Sequence, residues 1–257
     1  MSSFIEGFPF ASNSFVDKTG DPFGRNSENG LVVLDPWVRG NDRTNSNFVM
    51  MCVLGVGKST ILKSLMISEY MMGTTCITID FEGEYADLTR NLNGDLIEIG
   101  GGKMRINPLQ FRAVPPDEET NEEAQAFSDM AMHMNWLDTF FRLNDTDITT
   151  RQISLLKQIL EMLYNDFDIF WDTKAKGLKN TDYPIFTDLH NLVLDLIERK
   201  ALSAANDEDM QIIEALTREF AIGTYSYIWN GHTTVETTSD FITFNASRLM
   251  EMSENVN

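Results

Sequence analysis

The run Gly55-Val56-Gly57-Lys58-Ser59-Thr60 packs two glycines, a lysine and two hydroxyl side chains into one short loop. Residues of those types at that spacing suit the holding of a polyphosphate. Such an anion is bound chiefly by backbone N–H groups, and glycine lets the main chain curl closely around it. Lys58 is placed to reach the β- and γ-phosphates as a point charge, Ser59 to offer its hydroxyl to Mg2+, and a following helix to add the positive end of its dipole. In the full pattern G-x-x-x-x-G-K-[ST] the first glycine falls on Cys52, so the candidate nucleotide-binding loop is Cys52, Val53, Leu54, Gly55, Val56, Gly57, Lys58, Ser59 and Thr60. Were φ at Cys52 positive, its Cβ would cost on the order of 1 kcal/mol or more. The competing reading is a glycine-rich strand-to-helix turn that binds no ligand.

A second group of chemically capable residues follows in Asp80-Phe81-Glu82-Gly83-Glu84-Tyr85. Three carboxylates stand there at the carboxyl end of an expected strand, the edge at which open α/β sheets hold their ligands. Asp80, Glu82 and Glu84 are candidates for catalytic work, with Asp80 joining Ser59 as a metal ligand and Glu82 or Glu84 orienting a water. The alternative is that Glu82 and Glu84 only start the next helix, where acids suit the dipole.

These residues need an α/β frame to position them. The apolar run 48–51 predicts a buried strand, residues 58–72 an amphipathic helix stopped by Gly73, and residues 74–80 a second core strand. A helix over 85–92, a strand over 95–99 and a glycine turn from Gly100 lead into the extended Asn107-Pro108. Upstream, 31–35 reads as a short buried strand ended by Pro36. Near the end, Asn230-Gly231-His232 marks a turn and 241–245 a strand returning to the sheet.

Composition shifts at Pro115-Pro116, after which the chain reads as all-helical to about Ile222. Thr120 with Glu123 forms a capping box before a helix ending near Arg142. Leu155, Leu156, Ile159, Leu160 and Leu163 share one face of the next helix, and Leu189, Leu192, Val193, Leu196 and Ile197 share one stripe of another. The expected domains are therefore 1–112 as the first part of a core, 113–225 as a helical insertion, and 226–257 as the return.

The chain carries 39 acidic and 20 basic residues, a net charge of −19, and the helical stretch 116–222 alone contributes −13. Nucleic-acid binding draws on surplus Lys and Arg, so direct contact with DNA is disfavoured. No apolar run approaches the roughly 18 residues that span a bilayer. With two cysteines in the sequence, a cytosolic protein is the expectation. Cys52 and Cys76 form a redox pair if their strands adjoin, or else two buried, inert thiols. His133, His190 and His232 share no ligand spacing, which argues against a metal cluster. Met130, Met132 and Met134 read as core filler.

Taken together the motifs resemble the VirB-four ATPases of conjugation and type IV secretion, within the HerA–FtsK superfamily of P-loop motors. The resemblance runs through Phe8-Pro9-Phe10 with Gly20 and Gly24, Asn47-Phe48, the Gly55–Thr60 loop, Ile79-Asp80-x-Glu82-x-Glu84-Tyr85, the three glycines from Gly100, Arg105-Ile106-Asn107-Pro108-Leu109, and the stretch from Phe241 to Leu249. It implies a RecA-like P-loop NTPase core with a parallel sheet interrupted by the helical insertion. It further implies Mg-ATP hydrolysis, hexamer-like assembly with other copies, and peripheral membrane attachment through secretion-channel subunits. By that similarity Lys58 binds the β/γ-phosphates, Ser59 the metal, and Asp80 with Glu84 lines the site. Cys52, Phe81 and Asn245 depart from the family pattern, which has glycine, proline and aspartate there. The family's Walker B strand has no counterpart between Gly223 and Asn257, so a truncated core with feeble or no hydrolysis is expected. A scaffold module with a decayed loop, or a DNA-pumping relative, are the alternatives.

Overall fold

The computed structural model describes residues 14–40, 43–53, 55–100, 104–112, 122–201 and 207–254, with 122–128 and 251–254 described in backbone only. Two compact units emerge. The first comprises Met1–Leu96 with Thr238–Asn245, and the second Ile97–Thr237 with Ala246–Asn257.

The first unit opens with a small sheet of β1 (Phe15–Val16), β2 (Asp21–Arg25) and β3 (Leu31–Leu34) in the order β1-β3-β2. β1 runs parallel to β3, while β2 is antiparallel to it with a register shift between Pro22 and Gly24. Arg43 grips Asp17 through two nitrogens at 2.7 Å each, and its guanidinium with the Asp35 N–H holds the Asp17 carboxyl down at about 2. β3 was expected to be buried. It forms as a strand, but Leu31 is exposed because a three-stranded ribbon covers only part of itself.

The second sheet carries the candidate site. Its strands are β4 (Cys76–Asp80), β5 (Asp95–Glu98) and β6 (Phe241–Asn245), in the order β4-β6-β5. β4 and β6 run parallel, from Cys76 opposite Phe241 to Asp80 opposite Asn245, so the segment 241–245 does return to the sheet. Helix α1 (Lys58–Met71) leads into β4, and α2 (Ala86–Asn91) links β4 to β5. Behind β4, the Cys76 thiol contacts the Met66 carbonyl of α1, and its pKa is pushed up by burial. Thr89 of α2 donates to the Tyr85 carbonyl at 2.8 Å, so in the 2.7 Å contact between the Thr89 and Thr243 hydroxyls it is Thr243 that donates. Both threonines are fully buried, and the pair ties α2 to β6.

Two further expectations fail in this unit. Residues 48–51 form no strand, and Phe48, Val49 and Met51 are exposed. An apolar run becomes a strand only where a neighbour completes its ladder, and none of the described strands pairs with it. β4 is likewise a core strand on one face only, with Ile77 and Ile79 exposed.

The second unit holds the large hydrophobic core, from Leu109 to Ala221. Its helices are α3 (Glu122–Asn144), α4 (Thr150–Asp166), α5 (Phe186–Arg199), α6 (Asp207–Ala221), the single turn α7 (Ser226–Trp229) and α8 (Ser247–Glu254). Every residue of the α4 stripe read from the sequence is buried, as are Leu189, Val193 and Leu196 of α5, with Leu192 and Ile197 packed beside them. Phe140, Phe141, Phe186 and Phe220 form the aromatic centre, in which Phe186 and Phe220 stack at 4.7 Å. Thr149 caps α4 reciprocally with Gln152. The Thr120 of the expected capping box, like Phe8 to Phe10, lies outside the described residues. Asn107 is a clamp: its side-chain amide donates to the Pro184 carbonyl at 2.8 Å and accepts from the Leu109 N–H at 3.0 Å. Met130 and Met134 fill core as expected, whereas Met132 is exposed.

Candidate functional site

The loop before α1 is built on glycine. Gly55 and Gly57 take φ of 83° and 95°, left-handed values that an L side chain adopts only with strain. Gly57 is the N-cap, and no side chain caps the helix there; no acid stands in its first turn. The Ile61 N–H is the first to enter the helical ladder, donating to the Gly57 carbonyl at 3.0 Å. The N–H groups of the first turn are thus left without a side-chain partner, at the positive end of a helix of 14 residues. Lys58 and Thr60 are exposed and Ser59 half-buried. This arrangement fits a phosphate group: donors and a cation without a competing acid.

Cys52 is exposed, which corrects the expectation of a buried thiol, and it does not join Cys76 in a disulfide. It is also absent from the residues of positive φ, so the loop carries no backbone strain at this position. Val53 and Val56 are exposed, and Leu54 lies outside the described residues.

The three carboxylates do not converge. Asp80 is buried and accepts the N–H groups of Glu82 at 3.2 Å, Gly83 at 2.9 Å and Tyr85 at 2.9 Å. Glu82 and Glu84 are exposed on the turn that Asp80 holds. Among the described residues no group of three or more His, Cys, Asp or Glu side chains is arranged to cage a metal. Mg2+ keeps several waters and takes one or two protein ligands beside the phosphates of its nucleotide. Ser59 fits such a role by its place and chemistry. Tyr85, whose phenol is pushed up by burial and then by Glu84, Asp80 and Glu82, carries the Lys63 ammonium 5.3 Å from its ring centre. This contact joins the phosphate-loop helix to the acidic turn. Sequence reasoning assigned it no role, since nothing local relates Lys63 to Tyr85.

His133 and His190 serve packing. Tyr164 gives its hydroxyl hydrogen to the Leu109 carbonyl at 2.6 Å, so His133 Nε2 must donate in its 2.9 Å contact with the same oxygen. Burial holds His133 down at about 4. His190 lies 3.2 Å from the Thr217 hydroxyl.

Compared with solved structures, the chain aligns with VirB4 of Thermoanaerobacter pseudethanolicus at a TM-score of 0.80 and 34% identity, over 95% of this chain and 61% of that one. The chain resembles VirB4. The resemblance read from the motifs is therefore carried by the fold as well, which is mixed α/β and P-loop NTPase-like. An uncharacterized Bacillus anthracis protein designated pXO2-09 is 24% identical over 246 residues, 90% of this chain and 37% of the relative. The chain spans less than two thirds of either the VirB4 structure or this relative. No family model matches it. Among the described residues no helix is long and apolar enough to cross a membrane.

Proposed function

We propose that this VirB4-like chain is the nucleotide-binding part of an ATPase motor that energises type IV secretion and conjugative transfer. The observation that carries the reading is the uncapped N-terminus of α1 behind the left-handed pair Gly55 and Gly57, with Lys58 as first helical residue. The loop from Cys52 to Thr60 takes the phosphates of ATP. Its backbone N–H groups and the α1 dipole hold the anion, Lys58 adds a point charge at the β- and γ-phosphates, and Ser59 supplies the hydroxyl to the metal. Bound Mg2+ neutralises charge on the phosphates. Glu84, with Glu82 beside it, is the candidate for orienting an attacking water, since both stand exposed where β4 ends.

The finer parts of the reading come from the family resemblance. They are a HerA–FtsK type core over 1–112 and 226–257 with an insertion at 113–225, a hexamer-like assembly of copies, and peripheral attachment to the membrane through other secretion-channel subunits. The acidic surface, −19 in all, disfavours DNA as the direct cargo contact.

The test is the melting temperature with and without millimolar Mg-ATP, in the parent chain and in Lys58→Ala. A ligand bound only to the native state stabilises it by RT ln(1 + [L]/Kd), about 2.7 kcal/mol at a hundredfold excess over Kd. A shift in the parent that vanishes in Lys58→Ala supports the reading. No shift in the parent overturns it in favour of a scaffold module, and an equal shift in both proteins overturns the role given to Lys58.

A further inference from the structure

Asp80 ends β4 with 3% of its surface exposed, and its two oxygens are turned to the main chain that follows. Oδ1 accepts from the Glu82 and Gly83 N–H groups at 3.2 and 2.9 Å, and Oδ2 from the Tyr85 N–H at 2.9 Å. Gly83, at φ 74°, lets the chain fold back so that these three amides reach one carboxylate. Everything between the end of β4 and the start of α2 is thereby hung from one buried side chain. The same turn leaves Glu82 and Glu84 exposed and lays the Tyr85 ring under Lys63 of α1.

We propose that Asp80 is a positioning residue, which fixes the Phe81–Tyr85 turn so that Glu82 and Glu84 stand at the end of β4 beside the phosphate-loop helix, rather than a ligand of the metal. The inference rests on the nucleotide-site reading for the purpose of the turn and not for its construction. A carboxylate already engaged by three amides and shielded from solvent offers little to a cation that dehydrates reluctantly. It is well suited to hold a short loop rigid, because each amide it releases would face burial or water without a fixed partner.

Two variants separate the roles. Asp80→Ala removes all three acceptor contacts, whereas Asp80→Asn keeps one acceptor oxygen and can hold either the Glu82 and Gly83 pair or Tyr85, but not both. Amide hydrogen exchange is followed residue by residue in the nucleotide-free chain, and the Mg2+ concentration giving half of the ATP-dependent thermal shift is measured alongside. Exchange at Glu82, Gly83 and Tyr85 rises about tenfold or more in Asp80→Ala, while Asp80→Asn restores protection on one side only. The Mg2+ midpoint stays where it is in the parent. The proposal is overturned if the three amides remain protected in both variants, or if Asp80→Asn raises the Mg2+ midpoint severalfold with its turn intact. Should the parent show no shift with Mg-ATP, the nucleotide reading fails, and the exchange pattern still decides what Asp80 holds.

Discussion

Lys63 and Tyr85 meet as cation and ring face, with Nζ 5.3 Å from the ring centre, and this contact fastens the helix that starts at the phosphate loop to the turn that carries the acids. Partly exposed pairs of this kind contribute about 0.5–1 kcal/mol. A double-mutant cycle of Lys63→Met and Tyr85→Leu in urea should return a coupling in that range. Strictly additive effects would mean that the two side chains only share space.

The loop glycines and Cys52 should respond to exchange very unequally. Gly57→Ala places a Cβ at φ 95° and should lower stability by about 1–2 kcal/mol even without nucleotide. Cys52→Gly relieves no strain, because Cys52 is not among the residues of positive φ. It should leave the melting temperature unchanged or slightly lower, as a glycine gains freedom in the unfolded chain. A clear rise on Cys52→Gly, read by thermal unfolding, would contradict this.

His133 makes the helical unit acid-sensitive. Its pKa falls from 6.5 to about 4 on folding because burial disfavours the charged ring. Since the unfolded chain takes up the proton more readily, the stabilising contribution is complete above pH 6.5 and is lost as the pH falls towards 4. The loss should reach about 3 kcal/mol there and grow no further from this group. Urea unfolding between pH 7 and 4 measures the slope. His133→Gln should flatten it relative to the parent, which separates this group from the many carboxylates.

Core and surface apolar residues should part company sharply. Phe220 is 1% exposed and stacks on Phe186, so Phe220→Ala should cost about 3–5 kcal/mol. Ile77 is 63% exposed on the bare face of β4, and Ile77→Thr should change stability by no more than about 0.5 kcal/mol. Chemical denaturation of the two variants checks both. A large loss at Ile77 would mean that its face is covered in solution.

The helices were legible because each carries its own periodicity, as the α4 stripe from Leu155 to Leu163 shows by being buried throughout. The start of α1 at Lys58 was legible too, since glycine before a helix-forming run is a local signal. Residues 48–51 misled because hydrophobicity states a preference for burial and names no strand to pair with. Asp80 was found for its charge, while its hold on the turn that follows went unread. The signal was an aspartate followed three positions on by a glycine, a turn pattern in which the side chain binds the backbone ahead of it.

By itself, then, the sequence determined the short-range features of this protein: the phosphate-loop pattern, the amphipathic helices, the acidic surface and the family likeness. All of these follow from neighbours within a few positions or from counts. Only the tertiary structure decided that β6 lies between β4 and β5, that Thr243 reaches Thr89, that His133 sits neutral against Tyr164, and that the Asp80 carboxylate points into its own turn. Those outcomes depend on contacts between residues distant in the chain, and on the cost of leaving buried polar groups unpaired, which favours one arrangement of partners that no local pattern spells out.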